Sequence, residues 1–409
     1  MKTPLAWLQL TREKIRLLVA IAGITFADIL MFMQFGFRDA LLNSSITFHQ
    51  SIQGDIFLVG KQSTALIAMD RFPRQRLYQA LAFAGVKAVH PIYIGLGMWK
   101  NPDPARQANR LFCKENSQIE PKQEGETVLE CPNTRQIMVI GFQPEYALFD
   151  LPAVNERREA IKLTDVLLFD QESRPEFGPI PQMYANGQVV ETELSNRRVR
   201  VGGIFALGAS FAADANVITS DLNFMRIFPS RTLNEVDIGV VQLSPAENAE
   251  AILLAMRQYL PKDVWVLSRQ EFFSWEQKYW KESTPIGFIF TLGAAMGFVV
   301  GVVIVYQILY TDVADHLPEY ATLKAMGYSN SYFFSVVLQE AFLLAVLGYL
   351  PSLFVANILY GLAYKATSLP MIMTLSMALQ VFLLTLIMCI LSGTIAMRKL
   401  QEADPADIF

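Results

Sequence analysis

The chain has little of what most soluble catalysts are built on. Of 409 residues, only three are histidine and three are cysteine. His49, His90 and His316 lie far apart and share no metal-ligand spacing. No nucleophile elbow accompanies the serines. A phosphate-binding loop is missing as well. Its nearest approach, GDIFLVGKQ at Gly54–Gln62, places five residues between glycines where four are needed, and Gln62 stands where a hydroxyl would bind Mg²⁺. LSGT at Leu391–Thr394 lies inside an apolar run and cannot face a nucleotide. These absences predict no catalytic residue, bound cofactor or metal site on the chain itself. A basic excess is lacking too: 34 Lys+Arg against 38 Asp+Glu leaves a net charge of −4, and the pI near 5.6 excludes an ordinary nucleic-acid binder.

Charge of either sign is scarce at 18%, where soluble domains carry roughly 25%. Hydrophobic residues reach 52% and the mean hydropathy is +0.29. Four runs are long enough to cross a bilayer core, which needs about 20 apolar residues as helix. They are 17–37, 286–310, 332–359 and 371–397. Lys2, Arg12, Lys14 and Arg16 precede the first run, Lys324 lies between the second and third, and Arg398 and Lys399 follow the fourth. The opposite side's short loop, 360–370, has Lys365 alone. By the positive-inside rule both termini are expected in the cytoplasm, with residues 38–285 on the outer face of a plasma (inner) membrane. The first run is too long for a signal peptide, and no small-residue cleavage site follows Phe37. The expected fold class is thus an α-helical membrane protein with four transmembrane helices and a large α/β external domain. An amphipathic segment, 1–16, precedes the first span, and 398–409 form a cytoplasmic tail.

Within the external domain, Asp55–Gly60 and Val86–Gly95 read as strands around a helix near Arg74–Ala84. The pattern returns after an insertion: Asp237–Leu243 as strand, Pro245–Leu260 as helix with Pro at its first turn, and Asp263–Leu267 as strand. A split α/β part, 38–141 and 236–268, with an inserted β-rich subdomain, 142–235, is the expected arrangement. Cys113 and Cys131 fall on the oxidising side and are expected to bridge, closing the polar excursion between them. Residues 269–285 (Arg269–Glu282 being RQEFFSWEQKYWKE) are expected to run as a helical stalk into the second span, with Trp275, Tyr279 and Trp280 suited to the headgroup region.

Gly293, Gly297 and Gly301 recur every four residues and form one small-residue face, a packing seam within a subunit or between two. Asp28 and Glu340 are ionisable groups at membrane depth, read either as substrate or proton contacts or as hydrogen bonds between helices. In the cytoplasmic loop, 311–331, Pro318 opens a short surface helix that Gly327 ends. Leu317, Tyr320, Leu323 and Met326 would dock it into a partner's groove.

That loop, with Glu319, the Leu323–Gly327 core containing Lys324 and Met326, and Glu340–Ala341 in the next span, resembles the coupling segment of ABC permeases of the MacB/FtsX/LolC type. The wording DVADHLPEYATLKAMGY and the opening LAWLQLTREKIRLLVAIAGITFADILMFMQFGFRDAL are similar to the cyanobacterial DevC subfamily. The resemblance implies a MacB-like external domain with a porter-like part, and a homodimer. It also implies a separate DevA-like ATPase that binds ATP and Mg, a DevB-like membrane-fusion adaptor, and a TolC-like outer-membrane channel. The implied activity is tripartite export of a lipid-like cargo, heterocyst glycolipid in the named subfamily, by mechanical transmission. The segment Leu317 to Gly327 would be the ATPase-coupling element. Two related readings stay open: an FtsX-like regulator of a cell-wall hydrolase and a LolC-like lipoprotein extractor.

Overall fold

The computed structural model describes residues 7, 12–103, 134–210, 212–245, 247–316, 318, 322–323, 326–367 and 369–401. In chain order, helices α1 (Lys14–Ser45) and α2 (Thr47–Ser51) precede β1 (Ile56–Gly60), β2 (Phe72–Pro73), α3 (Gln75–Leu81) and β3 (Val86–Lys100). Next come β4 (Thr134–Phe142), β5 (Val166–Asp170), β6 (Glu191–Leu194), β7 (Arg197–Phe205) and β8 (Asn216–Ser220). Then follow α4 (Asp221–Ile227), β9 (Glu235–Val236), β10 (Ile238–Leu243), α5 (Ala249–Tyr259), β11 (Val264–Ser268) and α6 (Arg269–Lys278). The long helices α7 (Pro285–Asp315), α8 (Asn330–Thr367) and α9 (Leu375–Gln401) complete the order. The chain divides into an α/β unit, Leu41–Ser283, and a helical unit formed by Met1–Ala40 with Thr284–Phe409.

The α/β unit is built on a nine-stranded mixed sheet of order β11-β1-β10-β3-β4-β8-β5-β7-β6. Strand β1 sits between β10 and β11 and is antiparallel to both, so β1-α3-β3 and β10-α5-β11 interlock as a split βαβ pair. These two units come from opposite ends of the domain, as the sequence pattern indicates. The strands of the insertion, β5 to β8, fill the other half of the same sheet, joined through the parallel pairing of β8 with β4. Side chains alternate along β1 with period two. Ile56 and Leu58 pack into a core with Leu77 and Ala80 of α3 and Ile252 and Met256 of α5. Phe57 and Val59 face the opposite layer, with Phe48, Ile52 and Phe272 from α2 and α6. Each such fully buried side chain contributes about 1.5–3 kcal/mol.

Two boundaries differ from the sequence reading. Helix α5 starts at Ala249 rather than Pro245, because the Asn248 side chain accepts hydrogen bonds from the amides of Glu250 and Ala251 and so caps the helix there. The continuous stalk expected over 269–285 is interrupted. Helix α6 ends at Lys278, a π-helical turn spans Tyr279–Ser283, and Thr284 is extended with φ −119° and ψ 155° before Pro285 opens α7. Proline lacks the amide hydrogen that a through-running helix needs and pushes its predecessor out of the helical region.

In the helical unit, α1, α7, α8 and α9 are each long and apolar enough to cross a membrane. One core joins Ala20, Ile24 and Ala27 of α1 to Val305, Leu309, Leu344 and Met388. A second joins Met31, Phe32 and Phe35 to Ala294, Tyr360 and Val381.

Candidate functional site

The glycine face of α7 is occupied within the chain. The Cα of Gly297 lies against Leu30 and Met31 of α1, so that an added Cβ would sit 3.3 Å from Leu30 Cβ. An added Cβ at Gly301 would meet Met388 Sδ and come within 2.9 Å of Ala27 Cβ. Gly293 faces the Gln34 amide in the same way. Small residues here let α7 approach α1 and α9 closely.

Asp28 is fully buried among three helices. The Thr385 hydroxyl of α9 lies 2.7 Å from its Oδ1, and the Ser352 hydroxyl of α8 lies 3.3 Å from its Oδ2. Two donors from two helices make Asp28 a polar staple between the spans. Glu340, equally buried, differs: neither of its carboxyl oxygens has a hydrogen-bond donor among the described residues. Its neighbour is the carboxyl of Asp312 on α7, which sequence reasoning passed over as a loop residue. A signal was present in the Asp312–His316 spacing, one helical turn at the end of an apolar helix.

The loop after α7 carries a turn of helix closed by Gly327. The Met326 amide donates to Thr322 O at 3.1 Å and the Tyr328 amide to Leu323 O at 3.2 Å. Gly327 takes φ +94°, the left-handed conformation that ends helices and that glycine adopts without a Cβ penalty. The two apolar loop residues described point differently. Leu323 packs against Val313, Phe333, Val337 and Met397, the ends of α7, α8 and α9. Met326 is 64% exposed. Pro318 is exposed. Leu317, Glu319, Tyr320 and Lys324 lie outside the described residues, as do Cys113 and Cys131.

In the α/β unit several buried or capping carboxylates are tied into structure. Glu276 is fully buried, with Oε1 accepting from Trp280 Nε1 at 2.7 Å and Oε2 from the Leu66 amide at 2.8 Å. His49 Nε2 is 3.5 Å from the same Oε2. Asp170 accepts from the amides of Leu207, Gly208 and Glu172 and from Asn216 Nδ2. Glu271 forms a capping box with Ser268 and pairs with Arg257. The Arg257 hydrogen bond, with those from Ser268, outweighs burial and holds the Glu271 carboxyl down at about 2.

Residues 288–405, which include most of α7, the loop, α8 and α9, match the FtsX-like permease C-terminal family. This part of the chain is an FtsX-like permease domain. The permease domain contains Asp312, Glu340, the glycine face and the Gly327 turn, and Asp28 packs against it from α1. Among solved structures, the periplasmic region of MacB from Actinobacillus actinomycetemcomitans aligns at a TM-score of 0.32 and 9% identity, covering 54% of this chain and 91% of its own. The extracellular domain of the noncanonic ABC-type transporter YknZ from Gram-positive bacteria aligns at 0.31 and 12%, covering 53% and 100%. No curated protein matches the chain.

Proposed function

We propose that the chain is the membrane subunit of an ABC-type exporter whose ATPase is a separate polypeptide. The observation that carries this reading is the FtsX-like permease domain at residues 288–405. The division of the loop supports it. Exposed Met326 offers a docking contact to a partner groove, and Leu323, packed on the ends of three helices, carries any shift of the loop into them. Leu317, Glu319, Tyr320 and Lys324 belong to the same docking element on the sequence alone. ATP bound by the partner favours one of two loop positions, and the permease domain follows. The chain itself contributes no catalytic step.

In this reading both termini are cytoplasmic, the α/β unit is periplasmic, and two copies pair so that four spans become eight. A DevB-like adaptor and a TolC-like channel continue the path outward. The cargo is lipid-like, with heterocyst glycolipid as the specific candidate from the DevC resemblance.

Substituting Met326→Asp tests the coupling. Placing a charge at the docking contact should lower transport-linked ATP hydrolysis about tenfold, the effect of roughly 1.4 kcal/mol of lost binding, while the isolated ATPase is unchanged. Full coupling in that variant would contradict the assignment.

A further inference from the structure

At the end of α7 the helical unit holds a cluster that the coupling reading does not use. The carboxyls of Asp312 and Glu340 face one another across α7 and α8. Glu340 is 0% exposed and Asp312 5%. Among the described residues, none donates a hydrogen bond to either oxygen of Glu340 or to Oδ2 of Asp312. Three buried acceptors of one kind, brought together with no hydrogen bond from any described residue, are a costly arrangement in a folded protein.

Among the described residues, the charged groups near the pair also have partners elsewhere. From the first turn of α1, Arg16 pairs with Glu13 at 3.0 Å and with Asp315 at 2.7 Å. From α7, His316 Nδ1 lies 2.9 Å from the Asp312 backbone carbonyl, and because a carbonyl only accepts, that nitrogen donates its hydrogen there. The same nitrogen is 3.8 Å from Asp312 Oδ1, beyond a hydrogen bond. Asp312 also sits in the last turn of α7, which contains no basic residue of its own and where the helix carbonyls disfavour negative charge. Beside it lies a cavity of about 10 Å³, lined by Glu13, Arg16, Leu17, Ile308, Asp312 and Leu344, which is near the size of one water.

We propose that Asp312 and Glu340 form a proton-binding site that holds one proton shared between α7 and α8. With the proton in place, one carboxyl donates to the other and the missing donor is supplied. When it leaves, two anions face each other, and their repulsion separates the end of α7 from α8. That turn of α7 runs directly into the loop at Pro318, so the occupancy of the site sets the position of the loop. The site goes beyond the exporter reading and does not depend on it, since a proton can be detected on the chain without any partner.

The test is infrared difference spectroscopy of the full chain in lipid bilayers, following the carbonyl stretch of protonated carboxylic acids as pH is raised. A titrating band is expected in the wild type and is lost in both Glu340→Gln and Asp312→Asn, because the amide of either variant donates to the remaining carboxylate. Asp28→Asn leaves that component in place. A band unaffected by both substitutions, or a wild type with both carboxyls ionised at neutral pH, overturns the proposal. Should either variant fail to assemble, wild-type chain labelled with carboxyl-¹³C glutamate gives the same answer: the titrating band shifts if Glu340 shares the proton, and an unshifted band overturns it.

Discussion

The α/β unit and the helical unit treat buried carboxylates in opposite ways. In the first, Asp170 collects four donors, Glu276 two, and Asp237 pairs with Arg231 at 2.6 Å while accepting the Ile94 amide. In the second, Asp28 meets two hydroxyls, but Glu340 and one oxygen of Asp312 meet no donor among the described residues. A carboxylate surrounded by donors holds a fold in one arrangement. One left without donors marks a place where the arrangement depends on what binds.

The contrast can be broken most sharply in the α/β unit. Asp237→Ala leaves Arg231, which is 6% exposed, as a buried charge without its carboxylate. It should destabilise the protein by about 3–5 kcal/mol in thermal or denaturant unfolding. An effect below about 1 kcal/mol would mean that the pair is not held as described. Gly301→Leu should cost about 1–3 kcal/mol by forcing α7 away from Ala27 and Met388, read as a lower midpoint for loss of the helical signal in detergent.

Acid should act on the α/β unit through Glu271. Its carboxyl is held down at about 2 by the Arg257 hydrogen bond first and then by Ser268. A depressed carboxylate contributes its full stability above its ordinary value, near 4.5, and loses it as pH falls through about 2. Glu271→Gln should therefore flatten the pH dependence of unfolding in that window and leave neutral pH little changed. The smallest effect is expected at Glu340→Gln, where the amide supplies the donor that the pair lacks. A stability change within about 1 kcal/mol of wild type is expected; a loss as large as that of Asp237→Ala would mean that Glu340 is held by donors as Asp237 is.

Much of this architecture is legible in the sequence because it follows from local periodicity. The four apolar runs are visible from length alone, and Val- and Ile-rich strands flanking α3 and α5 announce the two βαβ units. Their interlocking as β11-β1-β10-β3 is not local, since pairing between β1 and β10 is decided by which hydrophobic faces meet. The start of α5 was misplaced because Pro at a first turn is a visible cue, whereas Asn248 acts only through its side-chain geometry. The break at Thr284 follows from Pro285, whose backbone effect outweighs the helical pattern on either side. At the candidate site, Glu340 was legible as a charge inside an apolar run. Asp312 shows only its one-turn spacing to His316, because the residue that makes it unusual lies on another helix. Leu323 and Met326 look alike in a helical pattern, and only packing separates the inward residue from the outward one.

Central to the proposed function is a separate ATPase that works through this chain. Affinity purification of the tagged full chain from its native membrane in mild detergent, followed by mass spectrometry of everything retained, addresses it directly. An ABC ATPase together with a membrane-fusion adaptor is the predicted result. A cell-wall hydrolase retained in place of the adaptor, or no ATPase at all, would contradict the exporter assignment.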